Sequence, residues 1–152
     1  MKKGLFLDRD GVINIEKGYV HKIKDCIFIP EIFDVCKCAQ ENLFKIIIVT
    51  NQAGIGRGFY TEKEFHLLMK YILDKFLSFG ININDYFFCP HHPSEGIKNY
   101  KKDCLYRKPN PGMINSACRK HDIDPNLSIM IGDKQSDKEA SEQAGIKKFV
   151  DS

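Results

Sequence analysis

Short apolar runs rich in β-branched residues alternate along this chain with segments of helical periodicity. That alternation predicts an α/β fold, a doubly wound and mostly parallel sheet with helices on both faces. Two further observations agree. The unusual polar residues fall just after the apolar runs, where the carboxyl ends of parallel strands gather ligands. The length, 152 residues, suits one domain spanning 1–152.

The elements follow in order. Residues 4–7, Gly-Leu-Phe-Leu, read as a buried strand that stops at acidic residues. Pro30 opens a helix whose apolar face is Ile32, Val35, Cys36, Ala39 and Leu43. Residues 45–50 form a second, β-branched strand. Thr61 and Glu64 have capping-box spacing before a helix with Phe65, Leu68, Met69, Ile72, Phe76 and Phe79 on one face. Residues 86–88 make a third strand, followed by a Pro-, His- and Lys-rich loop from 89 to 111. Then come a helix at 112–121, a strand at 128–131, a helix at 134–144 closed by Gly145, and a short strand at 148–150.

Composition narrows the function classes. The net charge is +3 and the basic residues are scattered, which argues against a nucleic-acid or acidic-membrane partner. No apolar run approaches the roughly 20 residues of a membrane span. The first apolar stretch ends at Asp8, too soon for a secretory signal of roughly 7–15 apolar residues, so a cytoplasmic location is expected. A monomer is expected too. There are six cysteines, and a reducing compartment would keep them as thiols. Cys36 and Cys118 read as structural, whereas Cys89 and Cys104 sit among polar loop residues.

The sharpest feature is Asp8-Arg9-Asp10-Gly11. Residues two apart in an extended chain point to one side, so Asp8 and Asp10 share a site at the strand end. Gly11 lets the chain turn away. Gly132-Asp133 ends the fourth strand, with Asp137 four residues on, and brings Asp133 to the same rim. Clustered carboxylates repel unless a cation sits among them, and hard oxygen ligands suit Mg²⁺, which also coordinates phosphate. Thr50, Asn51 and Lys108 add a hydroxyl, an amide and an ammonium, the groups that neutralise a transferring phosphoryl group. Each fragment alone is commonplace: an Asp-x-Asp pair is usually a turn. Their order, each at the carboxyl end of a strand, gives the set its meaning.

Together, residues 6–11, 49–52, 107–109 and 132–134 resemble the four motifs of the haloacid dehalogenase (HAD) superfamily of phosphatases. More narrowly, the chain resembles the D-glycero-D-manno-heptose 1,7-bisphosphate phosphatases and their histidinol-phosphate phosphatase relatives. The narrower match rests on Gly18-Tyr19-Val20, on 50–58, on Cys89-Pro90-His91-His92-Pro93 and on 107–113. The resemblance covers essentially the whole chain, although the stretch after Val150 is shorter than usual and a closing helix is expected to be lacking. It implies that Asp8 attacks phosphorus to form an aspartyl phosphate and that Asp10 acts as general acid, then base. It implies that Thr50 and Lys108 stabilise the phosphoryl oxygens, and that Mg²⁺ is held by Asp8, Asp133 and the Asp10 carbonyl. Substrate contacts map to Glu16, Lys17, Gly18, Tyr19, Asn51, Gln52, Ala53, Arg107 and Lys134. Arg107 is the expected specificity residue, because a guanidinium can grip a second phosphate or a sugar hydroxyl pair. Residues 11–44 hold only a loop and one helix, so no cap domain is expected and the site is closed by loops.

The resemblance also implies a structural zinc held through Cys-x-His and a later Cys-x-Cys, in the loop 89–106. This chain offers Cys89, His91 and Cys104, but Tyr106 stands at the fourth position. His92 or water would complete a tetrahedron, or the loop would be metal-free. The length of 92–103 favours the heptose type over histidinol phosphate. The reading from another class is a phosphate-binding regulatory module, and Asp10 argues against it, since a mere acceptor needs no second acid/base.

Overall fold

The computed structural model describes residues 1–152. In chain order the strands are β1 (Lys3–Leu7), β2 (Phe44–Asn51), β3 (Asp85–Cys89), β4 (Ile129–Gly132) and β5 (Lys148–Asp151). The helices are α1 (Glu31–Glu41), α2 (Ala53–Gly56), α3 (Glu62–Ser78), α4 (Gly112–His121) and α5 (Gln135–Ala144). The strands form one sheet in the order β3-β2-β1-β4-β5, and every pairing is parallel. No helix is long and apolar enough to cross a membrane.

Both faces of the sheet are covered, which is why its central strands are apolar without alternation. Leu5, Leu7, Ile46 and Ile48 point to one side and pack with Ile32 and Cys36 of α1 and with Phe65, Leu68, Ile72 and Phe76 of α3. Phe6, Ile47, Val49 and Met130 point to the other side, against Met113, Ile114 and Ala117 of α4 and Ala140 of α5. Truncating a fully buried ring such as Phe76 to alanine costs about 3–5 kcal/mol.

The register brings the strand ends level. Leu7 pairs with both Ile48 and Ile131, so Asp8 leaves the central strand between the ends of β2 and β4. Its amide donates to the Ile131 carbonyl at 3.1 Å. Between β1 and β2 there are one short 3-10 turn, Ile23–Asp25, and α1. The predicted capping box is present: the Glu64 amide donates to Thr61 Oγ1, and the Thr61 amide to Glu64 Oε1, both at 3.1 Å.

Three expectations are corrected. The first helix stops at Glu41, and Leu43 lies beyond it with φ 65° and 81% exposure, turning the chain into β2. Val35 is also exposed; Phe33 takes the inward place, with its ring 4.9 Å from that of Phe76. Phe79 caps α3 rather than extending its buried face, and is half exposed. Helix α2 was not anticipated, because glycine is a poor helix former. Its glycines are required by close neighbours: a Cβ on Gly54 would stand 2.3 Å from the Tyr60 ring, and one on Gly56 2.3 Å from the Pro90 carbonyl.

Candidate active site

Lys108 is buried between two carboxylates. Its Nζ lies 3.0 Å from Asp8 Oδ1 and 2.6 Å from Asp137 Oδ1, and donates to the Val49 carbonyl at 2.9 Å. All three charged residues are nearly inaccessible to solvent. Burial pushes the Asp8 carboxyl up to about 7, against the opposing pull of Lys108. Burial works to lower the Lys108 ammonium, but Asp8 and Asp137 outweigh it and hold it above the usual lysine range. Asn51 fixes the Lys108 main chain from both sides: its Oδ1 accepts from the Lys108 amide at 3.0 Å and its Nδ2 donates to the Lys108 carbonyl at 3.1 Å.

Asp10 is gripped as well. Its Oδ1 accepts from Arg9 Nη2 and from Asn14 Nδ2, both at 3.0 Å. Its Oδ2 accepts from Gln52 Nε2 at 3.1 Å, and the same nitrogen donates to Thr50 Oγ1 at 2.9 Å. Thr50 is fully buried, at the end of β2.

A third group of carboxylates faces a common point. One oxygen each from Asp8, Asp133 and Asp137 lies within 4.8 Å of the others. Asp137 is already engaged by Lys108, and its Oδ2 also accepts from the Asp133 and Lys134 amides at 3.1 and 3.2 Å. Asp133 Oδ1 is buried with no partner in the protein. An orphaned carboxylate oxygen beside a second carboxylate is the donor set a hard divalent cation takes, so Asp8 and Asp133 fit Mg²⁺. Burial raises the Asp133 carboxyl. Gly11 makes this approach possible: a Cβ there would stand 2.0 Å from Asp133 Oδ2, and its φ of +89° disfavours any side chain.

These groups open onto a polar cleft of ≈ 500 Å³. Of the predicted residues, Asp8, Asp10, Glu16, Gly18, Tyr19, Asn51, Gln52, Ala53, Arg107, Lys108 and Lys134 line it. Lys17, Thr50 and Asp133 do not; Thr50 adjoins it through its bond to Gln52, and Asp133 through a carboxylate oxygen within 4.8 Å of one of Asp8. Tyr60, Ser136 and Asp137 line it although sequence reasoning gave them no role. The spacing of Asp137 after Asp133 was the available signal. Nothing in the sequence marked Tyr60.

Two loops meet at the mouth. Lys134 Nζ lies 3.8 Å from Glu16 Oε2. Arg57 Nη1 donates to the Tyr19 hydroxyl at 2.6 Å and lies 3.2 Å from Glu95 Oε2, so one guanidinium ties the loop carrying Tyr19 to the loop after β3.

In that second loop, one donor atom each from Cys89, His91 and Cys104 lies within 4.8 Å of the others. Burial pushes the Cys89 thiol up to about 12 and lowers the His91 imidazole. Tyr106 does not complete the set: its hydroxyl is paired with Ser116 Oγ at 2.6 Å. His92 is turned into its own loop, where Nδ1 accepts from the Ser94 and Glu95 amides at 3.2 and 3.0 Å.

Comparison with known proteins agrees with this geometry. Residues 105–150 match the HAD-hydrolase-like family model. The chain is 45% identical, over 95% of its length and 76% of the relative's, to a D-glycero-alpha-D-manno-heptose-1,7-bisphosphate 7-phosphatase of Burkholderia mallei. It is 43% identical, over 95% of its length and 80% of the relative's, to the D-glycero-beta-D-manno-heptose-1,7-bisphosphate 7-phosphatase of Helicobacter pylori. Among solved structures, the D,D-heptose 1,7-bisphosphate phosphatase of B. bronchiseptica, complexed with magnesium and phosphate, superposes with a TM-score of 0.86 at 28% identity, covering 99% of this chain and 80% of that one. The chain belongs to the HAD-like phosphatases, in the family of the heptose-1,7-bisphosphate 7-phosphatases. It is a phosphoric monoester hydrolase, and its all-parallel α/β sheet is the fold expected of one.

Proposed function

We propose that this chain removes the 7-phosphate of D-glycero-D-manno-heptose 1,7-bisphosphate, leaving the 1-phosphate, with Asp8 as nucleophile. The observation that carries the chemistry is a buried Asp8 lying 3.0 Å from the Lys108 ammonium, with Asp10 lining the same polar cleft. The names of the relatives support the substrate.

An Asp8 oxygen attacks phosphorus, forming the aspartyl phosphate as the ester P–O bond breaks. Asp10 gives its proton to the departing sugar oxygen. Asp10, now a carboxylate, takes a proton from water, whose oxygen attacks phosphorus and displaces the Asp8 carboxylate, releasing inorganic phosphate. Lys108 and Thr50 donate to the phosphoryl oxygens, where charge develops. Asp8, Asp133 and the Asp10 carbonyl would hold Mg²⁺, which would supply Lewis-acid neutralisation of phosphate charge.

Arg107 lines the cleft and suits the second phosphate, with Glu16, Gly18, Tyr19, Ala53 and Lys134 against the sugar. Cys89, His91 and Cys104 form a soft donor set for zinc with water as fourth ligand. A cytoplasmic setting goes with six free thiols.

The test is phosphate release with Mg²⁺ from heptose 1,7-bisphosphate and from histidinol phosphate, with zinc counted on the same preparation. Strong preference for the heptose bisphosphate is expected. Preference for histidinol phosphate would keep the chemistry and replace the substrate, and release from neither would overturn both.

A further inference from the structure

The Tyr60 hydroxyl is a buried polar group in the cleft that the proposed chemistry leaves without a task. It lies in the wall of the cleft and donates a hydrogen bond to Gln52 Oε1. Burial pushes its ionisation up, so it remains an O–H donor. The ring is pinned on two sides. It stacks on the His21 ring, with centroids 4.7 Å apart and planes 4° from parallel. Its edge fills the space where any side chain on residue 54 would begin.

Gln52 is 3% exposed, and both ends of its amide are committed. With Oε1 taken by Tyr60, Nε2 faces the chemistry and divides between Asp10 Oδ2 and Thr50 Oγ1. The two oxygens of Asp10 are not equivalent. Oδ1 is held by Arg9 and Asn14, both completely buried. Oδ2 has Gln52 as its one protein partner. Oδ2 is therefore the oxygen free to exchange a proton with the cleft, and Gln52 is the group that sets its direction.

We propose that Tyr60 and Gln52 are a pair of positioning residues that aims Asp10 Oδ2 for proton transfer and holds it in register with the phosphoryl-binding hydroxyl of Thr50. The inference rests on the reading of Asp10 as the acid/base. Phenylalanine at 60 would leave Gln52 Oε1 a buried acceptor without a donor. The amide could then turn its oxygen toward the Asp10 carboxylate and push it away.

A leaving group that needs no proton tells positioning of an acid apart from a structural or binding role. Y60F and Q52M are compared with wild type through kcat/KM, which reports the first phosphoryl transfer. Two substrates are used: whichever of heptose 1,7-bisphosphate and histidinol phosphate the wild type turns over better, and 2,4-dinitrophenyl phosphate. Thermal melts confirm the fold. Y60F is expected to lose about tenfold or more on the alkyl phosphate, toward the roughly 10²–10⁴-fold that a general acid contributes, and less than about twofold on the aryl phosphate; Q52M, which also frees Thr50 Oγ1, is expected to lose on both and more on the alkyl phosphate. Equal losses on both substrates, or no loss on either, would overturn the positioning role. If Q52M does not fold, the milder Y60F decides alone. D10N run in parallel separates the two levels, because alkyl-phosphate turnover in that variant would refute the acid/base assignment itself, whatever Tyr60 does.

Discussion

Lys108 and Asp137 form a buried ion pair, 2.6 Å from Nζ to Oδ1, at the end of the cleft where Asp8 waits. Asp137 thus balances an ammonium whose other partner is the nucleophile, leaving Asp8 to share Lys108 rather than neutralise it alone. Replacing Lys108 by alanine leaves two buried carboxylates facing each other. K108A is expected to lose about 3–5 kcal/mol of stability as well as turnover, read by urea unfolding and phosphate release. D137N, which keeps the shape and removes the charge, is expected to slow turnover while Asp8 retains Lys108.

Burial lifts Asp8 to about 7, so folding favours its neutral form when no cation is bound. Its contribution to stability is then complete below the unfolded carboxylate range, at about pH 4, and is lost as pH rises through 7. Mg²⁺ needs the ionised form and must displace that proton. Calorimetry at pH 6 in buffers of different ionisation enthalpy is expected to show proton release on Mg²⁺ binding. Affinity is expected to climb by up to about tenfold per pH unit below 7 and then level off. A flat affinity from pH 5 to 8 would contradict the shift.

Gly11 gives a narrower handle on the cation. In G11A the added methyl meets Asp133 and the backbone must leave its positive φ. Weakened Mg²⁺ binding is expected, with a loss of about 1–3 kcal/mol in stability from the strained backbone. Titration calorimetry and a thermal melt separate the two effects.

Tyr106 is the place to ask whether the loop after β3 holds a metal. Y106C supplies a third thiol in a loop that already gathers Cys89, His91 and Cys104. The variant is expected to keep zinc against a chelator that strips the wild type, because four protein ligands complete the tetrahedron. Equal retention in both would mean that the wild type finds its fourth ligand elsewhere.

Much of this was legible in the sequence, for identifiable reasons. A strand buried on both faces must be apolar throughout, so 4–7 and 45–50 announced themselves, and the acids just beyond them had to lie at the strand ends. What stayed hidden depended on where the chain goes next. Leu43 carries the helical spacing but adopts a positive φ that ends the helix. Gln52 was expected only as a substrate contact, and its bond to Tyr60 appeared once the chain after α2 returned over it. Asp137 had the right spacing, yet its work as the counter-charge of Lys108 needed a loop 29 residues earlier to arrive. Tyr106 stood where a ligand was expected, and only the packing of α4 showed its hydroxyl held by Ser116.

The Arg57 clasp gives the cleft mouth a drawstring in place of a hinged door. Tyr19 on one side and Glu95 on the other are knotted to the same guanidinium, so neither loop can widen the entrance without tugging the other. A shift of the loop that carries Glu95 is thereby passed to Tyr19 and the part of the cleft it lines. Arg57 is therefore placed to tune what enters, although its ties run to Tyr19 and Glu95 and not to Asp8, Asp10 or Lys108.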